Sequence, residues 1–203
     1  MTAWDKVAEG KSIENAKASL EAHGMNVFVV EDRNAAREKV LELIPRGSEV
    51  YNQSSVTLEE CGLHKEFEDD SKYDSLKKRV WGENDKEKRA ALRRQSVAPE
   101  YSVGSCAAVT EDGKLVWASN TGSQLAPYVY GAEKVVLVVG AQKVTKDFDA
   151  AMKRIENYVF PLEDARALKA YGVHSNISKL LVISKEVAPD RITVVIAKEK
   201  LGY

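Results

Sequence analysis

Two short loops in this sequence carry the residue types that hold small anions. The first, Asn52-Gln53-Ser54-Ser55-Val56-Thr57, follows the strand-like stretch Glu49-Val50-Tyr51 and leads into a helical pattern that starts at Thr57. The second, Ser119-Asn120-Thr121-Gly122-Ser123-Gln124, follows an apolar run and leads toward Pro127. Proline lacks an amide donor and crowds the carbonyl four residues back, so it belongs in a helix's first turn, which places a helix start between Thr121 and Ser123. That start leaves the amides of Gly122, Ser123 and Gln124 open to a phosphate or carboxylate, with the hydroxyls of Ser119, Thr121 and Ser123 beside them. Open α/β sheets bind ligands in such loops, between the carboxyl end of a strand and the next helix. The candidate ligand contacts are therefore Asn52, Gln53, Ser54, Ser55 and Thr57, together with Ser119, Asn120, Thr121, Gly122, Ser123 and Gln124. The same residues also suit plain helix caps, Thr57 with Glu60 and Thr121 with Gln124.

Glu111 is the candidate catalytic carboxylate, as base or nucleophile, because it ends an apolar strand where partial burial raises a carboxyl pKa. Its neighbour Asp112 fits the turn itself. Cys61 and Cys106 lie far apart, and His23, His64 and His174 are scattered, so the spacing supports no metal site and too few thiolates exist for an iron–sulfur cluster. A dinucleotide glycine motif, a P-loop and a Gly-x-Ser-x-Gly elbow are all absent from the sequence.

The elements that position these residues follow from periodicity. Ile13, Ala16 and Leu20 mark a helix over 12–23 that Gly24 stops, and Val27 to Val30 read as a buried strand. Asp32 caps a second helix carrying Ala36, Val40, Leu41 and Ile44. Residues 64–95 hold ten Lys or Arg and eight Asp or Glu, which suits one or two amphipathic surface helices broken near Gly82 to Asp85. Asp112-Gly113 between two apolar runs predicts a hairpin, and Lys134 to Gly140, apolar on both faces, predicts a central strand. Helices over 146–158 and from Pro161 to Gly172, then strands over 179–184 and 191–197, complete the pattern. The fold class is α/β, a mainly parallel open sheet flanked by helices, in one domain over 1–203 with a charged helical excursion at about 64–98.

Thirty basic residues face thirty-one acidic ones, a net charge of −1, and 44% of positions are hydrophobic. This balance favours neither nucleic acid nor an anionic membrane, and a near-neutral surface is compatible with a homo-oligomer. The first twenty residues alternate apolar and charged positions, and nothing approaches a membrane span, so a cytoplasmic location is expected.

The segments "SVGSCAAVTEDGKLVWASNTGSQ", "VVLVVGAQKV", "NYVFPLEDARA" and "VVIAKEKLGY", with the earlier "YNQSSVTLEECGL", resemble the LUD domain family, which includes lactate utilisation protein C. The resemblance runs from about residue 12 to the end. It implies a fold related to the CoA transferases, ribose-5-phosphate isomerase and 5-formyltetrahydrofolate cyclo-ligase. It also implies, for some members, a place in lactate oxidation beside an iron–sulfur partner subunit. Where the family commonly reads Ala-Glu-Thr-Gly, this chain has Thr110-Glu111-Asp112-Gly113, and where lactate-system members carry arginines after the glycine loop it has Ser123-Gln124. Three functions follow: an accessory protein of organic-acid metabolism that binds a small anionic metabolite, an enzyme acting on a carboxylate, thioester or sugar phosphate through Glu111, or a purely structural or regulatory oligomer. No cofactor is indicated.

Overall fold

Two valine-rich strands set the interior. Residues 134–140, KVVLVVG, and 192–197, ITVVIA, are apolar on both faces, which is stable only where both faces are covered. In the computed structural model, which describes residues 3–203, they lie side by side within an all-parallel sheet. Its strands are β1 (Asn26–Val30), β2 (Glu49–Asn52), β3 (Asp74–Ser75), β4 (Tyr101–Gly104), β7 (Lys134–Gly140) and β10 (Ile192–Ala197), in the order β1-β10-β7-β4-β2-β3. A second sheet, ordered β8-β5-β6-β9, is made of β5 (Ala108–Thr110), β6 (Leu115–Ser119), β8 (Val144–Thr145) and β9 (Lys179–Ile183). Its β5–β6 and β6–β9 pairs are antiparallel, and β8 joins β5 in parallel.

The two-residue period of β7 divides the core. Val135, Leu137 and Val139 pack with Ile13, Ala16 and Leu20 of α1 (Gly10–Ala22) and with Val109, Leu115 and Trp117 of the second sheet. Val136 and Val138 face the other way, toward Ala36 and Val40 of α2 (Arg33–Leu43), Leu58 of α3 (Val56–Glu60), and Leu63 and Phe67 of α4 (Leu63–Phe67). The far face of the second sheet is covered by Ala151 of α7 (Phe148–Arg154) and by Ile155. The chain crosses between the sheets four times, at 105–107, 120–133, 141–143 and 184–191. The first and third crossings lie just beyond the carboxyl ends of β4 and β7.

Several sequence expectations hold in detail. Asp32 caps α2 by accepting from the amides of Asn34 and Ala35, and the hairpin turns at Gly113 with φ of 81°. The charged segment breaks between α5 (Leu76–Gly82) and α6 (Lys86–Gln95). Others are corrected. The strand at 26–30 is an edge strand rather than a buried one, paired only with β10, and Phe28 is exposed. The charged excursion contributes β3, whose Asp74 and Ser75 pair with Glu49 and Val50, so part of it belongs to the sheet. The two helices expected around Pro161 form one continuous helical run, in which a π-turn over Ile155–Val159 joins α7 to α8 (Phe160–Tyr171). The wider turn, closed by the Phe160 amide on the Ile155 carbonyl, relieves the crowding that proline imposes on the preceding turn.

Candidate functional site

The polar loop after β2 begins inside the protein. Asn52 and Gln53 are buried, and the Gln53 amide prolongs the strand by donating to the Val103 carbonyl at 2.8 Å. Ser55, not Thr57, caps α3, its hydroxyl accepting from the Leu58 amide at 3.5 Å. The expected Thr57–Glu60 capping box is therefore replaced. Thr57 lies in the first turn, fully buried, where its hydroxyl donates to the Leu201 carbonyl at 3.2 Å, and Glu60 accepts the Gly202 amide at 2.8 Å. Segment 201–203 is thus drawn over the first turn of α3.

The loop after β6 is tied to itself. The Gly122 amide donates to the Ser119 hydroxyl at 2.9 Å and the Ser123 amide to the Thr121 hydroxyl at 3.3 Å, so two amides expected to face a ligand are engaged within the loop. Ser119 donates in turn to Gln124 Oε1 at 3.0 Å. No long helix begins here. Pro127 opens a π-turn, Pro127–Gly131, closed by the Ala132 amide on the Pro127 carbonyl at 3.1 Å. The short helical turn satisfies proline's geometry without aligning a row of free amides.

The two loops nevertheless face one cavity of about 660 Å³, within the range of small-molecule sites. Asn52, Gln53, Ser54, Ser55 and Thr57 line one side, and Ser119, Asn120, Thr121, Ser123 and Gln124 line the other; Gly122 does not line it. Glu111 does not line it either. Its carboxylate sits in the hairpin turn, accepting from Asn15 Nδ2 of α1 at 2.8 Å.

The cavity brings in residues that sequence reasoning missed, among them His64, Lys77, Arg93, Ser105, Cys106, Lys143, Arg166 and Tyr203. His64 donates from Nε2 to the Ser55 carbonyl at 3.1 Å and accepts at Nδ1 from Asn52 at 2.8 Å, the arrangement of a neutral ring. Burial, and then the Lys77 charge, hold its pKa below the usual histidine value. Lys77 is paired with Glu68 at 3.1 Å. Arg166 is paired with Glu163 through two 2.7 Å bonds, and Tyr203 donates to the same carboxylate. Burial pushes Glu163 upward, but these donors outweigh it and leave the carboxyl below its ordinary range.

Lys143 differs from every other cation in the cavity. It ends the 3-10 turn Ala141–Lys143 that carries the chain from β7 toward β8, and it is 2% exposed. Its ammonium donates only to hydroxyls, Thr57 Oγ1 at 2.9 Å and Ser105 Oγ at 3.0 Å. Among the described residues no carboxylate pairs with it, since Glu60 is turned to the Gly202 amide. Burial therefore lowers its pKa to about 8. Cys106 beside it is a buried free thiol pushed up to about 11, so it stays neutral and supplies no counter-charge at pH 7. Behind this floor, buried Arg154 donates to the Ala107 carbonyl at 2.5 Å, adding positive field. One signal in the sequence points to Lys143: a polar Gln142-Lys143 pair one residue past the carboxyl end of a valine-rich strand, where α/β sheets place their chemistry.

The chain is similar in fold to a solved DUF162 family protein from Deinococcus radiodurans, with a TM-score of 0.57 at 9% identity, over 95% of this chain and 99% of that one. No curated protein matches it. No helix among the described residues is long and apolar enough to cross a membrane. The profile of the LUD domain matches residues 13–197, nearly the whole chain, and the protein belongs to the LUD domain family.

Proposed function

We propose that this LUD domain binds a small anionic metabolite in the cleft between its two sheets, as an accessory protein of organic-acid metabolism of the lactate type. One observation carries the reading: two polar loops distant in sequence converge on a cavity where Lys143 and Arg93 have no carboxylate partner among the described residues. A buried cation without a counter-ion is unfavourable by itself, and an anionic ligand supplies what it lacks. Asn52, Gln53, Ser54, Ser55 and Thr57 would orient that ligand from the parallel sheet, and Ser119, Asn120, Thr121, Ser123 and Gln124 would close over it through hydroxyl and amide side chains. Glu111 has no part in this reading.

The test is a thermal-shift screen against lactate and other short carboxylates, acyl-CoAs, folates and sugar phosphates. A true ligand at a hundred times its Kd stabilises the protein by about 2.7 kcal/mol, and Arg93→Ala should diminish that response. Silence from every anion, or an undiminished shift in Arg93→Ala, removes the support for the cleft as an anion site.

A further inference from the structure

We propose that Lys143 is a covalent carbonyl-binding residue: its ε-amino group condenses with the carbonyl carbon of a small anion that carries one, an oxo carboxylate or an open-chain sugar phosphate. The proposal rests on the anion-binding reading of the cleft and narrows the class of ligand.

The geometry around Nζ separates Lys143 from a structural lysine. A lysine kept for stability is paired with a carboxylate, as Lys77 is with Glu68 at 3.1 Å, or reaches solvent. Lys143 does neither. Its two neighbours are hydroxyls whose protons point elsewhere: Thr57 donates to the Leu201 carbonyl at 3.2 Å and Ser105 to the Cys106 carbonyl at 3.4 Å. Both oxygens therefore accept from Nζ, and neither donates to it. When the amine is neutral, its lone pair is not consumed by either hydroxyl and remains available toward the cavity. Burial supports the same end by bringing the neutral form within reach of ordinary pH, with the pKa lowered to about 8. Aspartate or glutamate at this place would have kept the lysine charged.

The step balances without an oxidant or reductant. The neutral amine attacks the carbonyl carbon, a C–N bond forms, and the carbonyl π pair moves to oxygen, which takes up the proton released from nitrogen. The carbinolamine then loses its hydroxyl as water, with the second N–H proton, to give an imine; a proton from solvent makes it iminium. Thr57 and Ser105 stand where those nitrogen protons leave. The anionic end of the ligand would face Arg93, which lines the same cavity.

The experiment is reductive trapping of the full chain. Pyruvate and 2-oxoglutarate form one arm, ribose 5-phosphate and dihydroxyacetone phosphate the other, and lactate is the control without a reactive carbonyl. Each is incubated with the protein, reduced with borohydride, and read by intact mass and peptide mapping, with thermal shift measured in parallel. The expected result is a mass gain of the ligand less one oxygen, mapped to Lys143 in the unaltered protein, from at least one arm and not from lactate. Adduct yield should fall at least about tenfold in Lys143→Arg, which keeps the charge and removes the nucleophile. An adduct spread over surface lysines, or one undiminished in Lys143→Arg, overturns the proposal. A thermal shift from these ligands with no adduct at Lys143 also overturns it while leaving the anion-binding reading in place; neither shift nor adduct overturns both.

Discussion

The parallel sheet and the mixed sheet meet the cleft in opposite ways. From the parallel side come Asn52, Thr57 and Lys143, exposed by 1%, 1% and 2%, each held by partners far away in sequence. From the mixed side comes the Ser119–Gln124 loop, whose polar atoms mostly bond one another across two to five residues; Glu111, in the hairpin at the other end of β6, stays outside the cleft. Burial by a packed sheet desolvates a polar group and alters its chemistry; a loop that satisfies itself locally keeps ordinary chemistry and retains freedom to close. The comparison predicts that substitutions on the parallel side change stability, titration and ligand response together, whereas those on the mixed side leave stability and titration nearly unchanged.

Lys143→Met should have the largest effect, and its sign is the test. The ammonium has an ordinary pKa of 10.5 when unfolded and about 8 when folded. Below pH 8 both states hold the proton and the folded state bears the full penalty of burying it, about 3 kcal/mol by linkage. Between pH 8 and 10.5 the unfolded chain binds a proton that the folded one lacks, so stability rises with pH, and above 10.5 the penalty is gone. Methionine removes the charge while keeping the length, so urea unfolding at pH 7 should show a gain of about 1–3 kcal/mol, with the rise between pH 8 and 10.5 flattened. A destabilised Lys143→Met would make the lysine a structural member and break the contrast between the two sides.

Asn52→Ala comes next. It removes the donor to His64 Nδ1 at 2.8 Å and to Glu68 at 3.3 Å, and should cost about 1–3 kcal/mol. Because that amide stabilises the neutral imidazole, its loss should raise the His64 pKa. In the intact protein burial keeps the His64 pKa below 6.5, so its contribution to stability is complete above that value and is lost as pH falls through the folded pKa. In Asn52→Ala the acid limb of the stability profile should flatten and the His64 proton resonances should titrate at higher pH. An unmoved titration would mean that Asn52 acts on the site only by filling space.

Much of this contrast was legible in the sequence, and the reasons for the remainder are physical. The strand ends and small polar residues that mark Asn52 to Thr57 and Ser119 to Gln124 are local signals, and both loops do line the cavity except at Gly122. Periodicity likewise found β7, the hairpin and the break between α5 and α6. What stayed hidden depends on contacts remote in sequence. Lys143 reads as one more charged residue until Thr57 and Ser105, 86 and 38 positions away, enclose it. The capping role of Ser55 in place of Thr57 has the same origin, because Thr57 is claimed by Leu201, 144 positions on. The π-turns at Pro127 and Pro161 were missed because proline announces a break in regular helix and does not say whether the chain will stop or merely widen.

Glu111→Gln should have the smallest effect and bears directly on the other side of the comparison. The carboxylate closes a hairpin turn against α1 and accepts one hydrogen bond, from Asn15. Glutamine keeps an acceptor of the same length, so the bond survives in neutral form, and stability should change by less than about 0.5 kcal/mol, as for surface substitutions in general. Ligand-induced thermal shifts and trapping at Lys143 should be unchanged, because the hairpin acid does not line the cavity. Were Glu111→Gln instead to reduce either readout about tenfold or more, the hairpin would have to reach the ligand through a closure of the mixed sheet. The division of labour would then shift from a reactive floor under a passive rim to two walls that both take part in the chemistry.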